Sequence, residues 1–135
     1  MTNSSDSLPL LEAAQNGYVS YTLLKYAAAR AALSAPDLLD QLSCFIASQY
    51  AANEINFEEE DTVMNSLWTV CVSDEFWTDH EQTIPHITNT VYLAFDAGEY
   101  HRKSDPVGTD PESKYTRPLI EALLAKHNHT GLKPP

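Results

Sequence analysis

An all-α fold, a single-domain bundle of five or six helices, follows from three features of the sequence. Alanine and leucine, 15 of each, outnumber valine and isoleucine, at 6 and 5, a balance that favours helix over sheet. Apolar residues recur at i, i+3, i+4 and i+7 through much of the chain, the period of a helix that hides one face. Turn signals divide the 135 residues into helix-sized segments, and no long internal repeat occurs, which excludes a solenoid. With 43% hydrophobic residues, residues 1–135 form one domain with one core, with loose ends at about 1–6 and 129–135.

Taken in order, Ser7-Leu8-Pro9-Leu10 reads as the cap and first turn of a short helix stopped by Asn16-Gly17, Gly17 suiting the left-handed position beyond a helix. Tyr18 to Ser34 has helical spacing, and its alanines allow close helix approach. Pro36 suits the first turn of a third helix, in which Leu38, Leu39, Leu42, Phe45, Ile46, Gln49 and Tyr50 share a face. Asn56 is the expected cap of a fourth helix, lined by Val63, Leu67, Val70 and Cys71, with Met64, Trp68 and Val72 beside them. Asp74 to Glu81 reads as one helical turn or a loop. Thr83 is the expected cap of a helix that buries Ile84, Ile87, Val91, Tyr92 and Phe95 and ends at Gly98. Residues 101–111, with Pro106, Gly108 and Pro111, form a loop. Asp110-Pro111-Glu112 offers a short turn, and Thr116-Arg117-Pro118 opens the last helix, Leu119 to about His127.

Charge is segregated along this plan. Between Ala31 and His101 there are 13 Asp and Glu and no Lys or Arg, in a chain of net charge −11. An acidic chain repels nucleic-acid backbones and anionic membranes, which require a basic face, and favours a basic protein partner. Two acidic runs stand out. Glu58, Glu59, Glu60 and Asp61 fall in a helical first turn, where the helix dipole itself favours acids. Asp74, Glu75, Asp79 and Glu81 surround Phe76 and Trp77, and aromatics inside an acidic rim resemble the composition of an interface centre. Trp77 also admits the role of core plug, and Trp68 that of a core residue beside Met64 and Val72.

The motifs of common chemistries are missing. Four glycines, at 17, 98, 108 and 131, make no phosphate-cradling loop, dinucleotide fingerprint or nucleophile elbow. The five histidines lack the helical zinc-protease spacing. His127 and His129 sit where a polar side chain caps carbonyls. Asp105, Asp110 and Glu112 around Gly108 miss the calcium-loop spacing. Cys44 and Cys71 lie apart in amphipathic segments and read as free buried thiols of a reducing compartment. The expectation is therefore no catalytic residue, no metal and no cofactor. The longest stretch without a formal charge, Gln82 to Phe95, is 14 residues, too short to cross a bilayer. The first residues lack a basic and apolar leader, so the cytoplasm is the expected location.

The C-terminal third, Val91 to Tyr100 with its Asp96-Ala97-Gly98-Glu99-Tyr100, then Asp105, Asp110-Pro111-Glu112 and Tyr115-Thr116-Arg117-Pro118-Leu119-Ile120, resembles the closing segment of small bacterial immunity proteins of contact-dependent inhibition and other polymorphic toxin systems. That resemblance, over about 30 of the 135 residues, implies a cytoplasmic protein that binds and blocks one toxin domain, often a nuclease acting on RNA or DNA. It carries no contact residues. The matching positions themselves read as scaffold: Gly98 and Pro118 delimit helices, Tyr100 and Tyr115 pack the loop, and Arg102 or Arg117 pairs with Glu99 or Glu112. The partner-binding expectation rests on charge and aromatics, at Glu58, Glu59, Glu60, Asp61, Asp74, Glu75, Phe76, Trp77, Asp79 and Glu81, docking on a basic substrate groove without chemistry. The alternatives are a nucleic-acid mimic, which requires evenly spaced exposed carboxylates, and an uncatalogued helical enzyme.

Overall fold

The computed structural model describes residues 4–129, with side chains from 9 to 127. Among the described residues there are seven α-helices and no strand: α1 Ser4–Gln15, α2 Tyr21–Ala31, α3 Ala35–Ala51, α4 Phe57–Cys71, α5 Asp74–Asp79, α6 His86–Ala97 and α7 Arg117–His129. The chain is thus all-α. It has one helix more than expected because Asp74–Asp79, left between turn and loop, closes into six residues of helix behind a Ser73 cap.

Helix ends follow local polar chemistry. Ser20, Ser34 and Asn56 accept from the backbone N–H three residues on, at Leu23, Asp37 and Glu59, as N-caps do. Two boundaries differ from those expected. The second helix starts after Ser20, leaving Tyr18 69% exposed outside it, and ends at Ala32, whose φ of 59° is left-handed. The first helix already starts at Ser4, within the expected tail, with Pro9 in its second turn, where the proline removes one backbone donor. Gly17, at φ 97°, takes the left-handed turn expected of it.

Thr83 does not cap α6. Its hydroxyl donates back to the His80 carbonyl, and the N-cap is Pro85, which offers no side-chain acceptor. The acceptor comes from α3, where Asp40 Oδ1 takes both the Thr88 N–H and the Thr88 hydroxyl at 2.9 Å. A long-range contact therefore satisfies a helix end that local sequence leaves open.

Helix α6 packs against α3 and α4, and α7 covers α3 and α6. Leu38, Leu39, Leu42, Ile46, Val63, Met64, Leu67, Val91, Phe95 and Ile120 fill the core. Phe95 meets Tyr50 edge-on at 5.1 Å and Phe57 at 5.7 Å, each aromatic pair adding about 1 kcal/mol beyond area. Cys44 and Cys71 are free and buried, and burial pushes the Cys71 thiol up to about 12, which suppresses the reactive thiolate.

The last helix is entered through a π-helical turn, Glu112–Thr116. Pro118 has no N–H and its ring would clash with the carbonyl four residues back in a regular helix; the wider turn leaves room for it. Gly98 ends α6 because of space, with an ordinary φ of −91°. A Cβ there would collide with Thr116 Oγ1 and stand 3.2 Å from both Glu112 Cα and Phe57 Cε1. Thr116 is fully buried and donates to the Ala94 carbonyl at 2.7 Å.

The arginine pairings differ from those expected. Arg102 Nη1 donates to the Ala97 and Tyr100 carbonyls at 2.6 and 3.0 Å, and its guanidinium lies 4.2 Å from the Tyr100 ring centre and 3.7 Å from that of Tyr115. Arg117 donates to Asn53 Oδ1 and stacks over Tyr50, whose hydroxyl donates to Glu112 at 2.7 Å. Carbonyls and aromatic faces, both invisible to a charge-pairing argument, take the cations.

Candidate functional site

The first acidic run lies in the opening turn of α4. Successive helical residues are rotated by about 100°, so four consecutive acids sweep most of the circumference and cannot share one face. Glu58 and Glu59 are exposed and line a shallow cleft with Gln15 and Thr62. Glu60 turns inward. It is 1% exposed and its Oε2 has no hydrogen-bond partner; burial, aided by Glu59, pushes its carboxyl up to about 8. The expectation that Glu60 contacts a partner is corrected on this point.

Asp61 is half-buried, and its carboxyl hydrogen-bonds that of Glu99 at the end of α6. Burial first, then Glu99, then the Asp96 charge raise it to about 7, against a weak donation from Asn65. Two turns further along the same seam, Trp68 and Tyr92 stack with ring centres 4.6 Å apart. Asp96 and Glu99 were absent from the sequence-derived set. The α6 period alone placed Asp96 one turn beyond Tyr92, but only packing against α4 brings it to Asp61.

The second run surrounds α5. Asp74 and Glu75 are exposed in its first turn. Phe76, expected as an interface anchor, is instead fully buried, 5.7 Å from the Tyr21 ring and 4.4 Å from that of His80. Of the two aromatics only Trp77 retains exposure, as a half-buried side chain. Asp79 accepts the Tyr21 hydroxyl at 2.8 Å, and His80 Nε2 lies 3.1 Å from the same oxygen. Burial and that bond to Asp79 push the Tyr21 phenol up to about 12. Tyr21 and Lys25 join Asp74, Glu75, Thr78 and Asp79 around a cleft, with the Lys25 ammonium 4.8 Å from the Tyr21 ring centre. Glu81 is exposed, at a left-handed φ of 58°.

The two runs sit at opposite ends of α4. At about 1.5 Å per residue, its 15 residues separate them by roughly 20 Å, and Asn65 and Thr69 are neutral exposed positions between. The expected single face is thus two patches, Glu58, Glu59 and Asp61 at one end and Asp74, Glu75, Asp79 and Glu81 at the other.

Among the described residues no group of three or more His, Cys, Asp or Glu is placed to hold a metal ion, and no helix is long and apolar enough to cross a membrane. The fold and these patches define the class: an all-helical chain with strongly segregated surface charge. Comparison with protein-family models, with curated proteins and with solved structures returns no significant match.

Proposed function

We propose that this chain is a cytoplasmic immunity protein that binds a basic bacterial toxin domain, a nuclease acting on RNA or DNA, and neutralises it by occlusion. The observation that carries this reading is the run of 13 acids without one Lys or Arg between Ala31 and His101, seven of which fall in two acidic patches at opposite ends of α4. Uncompensated charge costs stability through self-repulsion, and a basic partner turns that cost into attraction and faster encounter. Carboxylates at Glu58, Glu59, Asp74 and Glu75 stand in for substrate phosphates, and Trp77 supplies apolar contact at the second patch. The chain performs no chemistry in this role. A nucleic-acid mimic would carry its carboxylates at even spacing, whereas the neutral Asn65 and Thr69 interrupt them along α4.

The test is co-expression with the C-terminal domain encoded by the adjacent upstream reading frame, reading growth and co-purification. The expected result is growth rescue with a stable complex. A folded chain that neither rescues nor co-purifies refutes the reading.

A further inference from the structure

Three side chains of α5 and its stop are fastened to one residue, Tyr21, at the start of α2. Phe76 meets the Tyr21 ring edge-on at 5.7 Å, Asp79 accepts the Tyr21 hydroxyl at 2.8 Å, and His80 Nε2 lies 3.1 Å from the same oxygen. The hydroxyl has one hydrogen and gives it to the carboxylate, so His80 Nε2 carries a proton and donates to the phenol. The far end of α5 is strained. The Gln82 N–H reaches back to the Trp77 carbonyl at 2.8 Å, the six-to-one bond of a helix stop whose left-handed place ordinarily belongs to glycine. Glu81 takes that place at φ 58°, and Gln82 follows it at φ 59°. Two successive residues with side chains in that region are costly.

We propose that α5 and its strained stop form a flap, latched by Tyr21, that opens while the other helices stay folded. A helix of six residues has no stability of its own, so the closed flap depends on the Tyr21 contacts and on burial of Phe76. The strain at Glu81 and Gln82 is released when these part. The flap turns between fixed points: Cys71, at the end of α4, is fully buried, and the start of α6 is tied to α3 through Asp40 and Thr88. Opening uncovers Phe76 beside Trp77, so the second acidic patch gains an apolar centre that the closed form hides. The flap is a property of the chain alone and stands or falls independently of the immunity reading.

The test is native-state amide hydrogen exchange of the full chain. The Trp77, His80 and Gln82 N–H groups, which donate to the Ser73, Phe76 and Trp77 carbonyls, are compared with N–H groups in the middle of α3, α4 and α6. Corrected for intrinsic rates, the flap set is expected to exchange about a hundredfold or more faster and to be insensitive to low denaturant, as in a local opening. Ile46→Val weakens the core and is expected to speed exchange there about fivefold without moving the flap set. Tyr21→Phe keeps the ring against Phe76, removes both hydrogen bonds, and is expected to speed the flap set about fivefold or more. Glu81→Gly relieves the stop and is expected to slow the flap set about threefold. Equal protection of the two sets, flap exchange that follows the core in Ile46→Val, or flap exchange unmoved by Tyr21→Phe overturns the proposal.

Discussion

The seam between α4 and α6 and the loop before α7 treat the same residue type in opposite ways. At the seam, burial and a hydrogen bond with another acid, Glu99, hold the Asp61 carboxyl high, at about 7, and beside it on α4 burial holds the carboxyl of Glu60, whose Oε2 has no partner, at about 8. In the loop, the side chain of Asp105 is fully covered and accepts from Lys114 Nζ at 2.6 Å, Tyr115 Oη at 2.6 Å and the Arg102 N–H at 3.0 Å. These bonds to Lys114 and Tyr115 hold its carboxyl well below the usual range. Covering an acid is inexpensive where donors surround it and costly where the neighbours are other acids. One region is internally satisfied, and the other keeps its carboxyls protonated for want of donors.

The joint between them is Gly98, against Phe57 of α4 on one side and Thr116 and Glu112 on the other. Gly98→Ala forces these apart and is expected to destabilise by about 3 kcal/mol, read by chemical denaturation; an unchanged midpoint would show that the regions are not tightly coupled. Glu60→Gln removes a buried ionisable group from the first turn of α4 and is expected to stabilise by about 2 kcal/mol at pH 8, with little gain at pH 4.

The wild-type pH profile separates the regions by sign. Glu60 and Asp61 hold protons in the folded chain that the unfolded chain releases from the ordinary values of 4.5 and 3.8 upward. Their contribution to stability is therefore complete in acid and lost as pH rises to about 8 and about 7. Asp105 contributes in the opposite sense: its contribution is present at neutral pH and lost as pH falls below the ordinary carboxylate range. Thermal melts from pH 3 to 9 are expected to show both limbs, with Asp105→Asn flattening the acid limb only and Asp61→Asn reducing the alkaline one. The smallest expected effect is on the melting temperature of Glu58→Lys/Glu59→Lys, where the loss of favourable helix-dipole contacts, about 0.3–1 kcal/mol each, is offset in part by relief of repulsion among the neighbouring acids, although its effect on association is expected to be large.

The sequence made the helices legible wherever a cap and an apolar period coincided, as at Asn56 with Val63, Leu67 and Val70. It failed where an end is satisfied from elsewhere, as α6 is by Asp40. The acids were legible as a charge imbalance and only partly as a surface. A run such as Glu58 to Asp61 does not say which member faces inward until the helix is packed, and Phe76 reads as a rim aromatic until Tyr21 is seen against it. The resemblance in the C-terminal third fell on residues with structural duties: Gly98 and Thr116 touch, and Tyr100, Asp105 and Tyr115 organise the loop around Arg102.

The central claim is that the acids of α4 and α5 draw in a basic protein. It is tested most directly by stopped-flow association of the chain with the co-purifying toxin domain, from about 20 to about 500 mM salt, for wild type and for Glu58→Lys/Glu59→Lys and Asp74→Lys/Glu75→Lys. The account predicts a rate that falls about tenfold or more with salt, and a slower, flatter dependence in each double variant. A rate indifferent to salt and to all four reversals would contradict it.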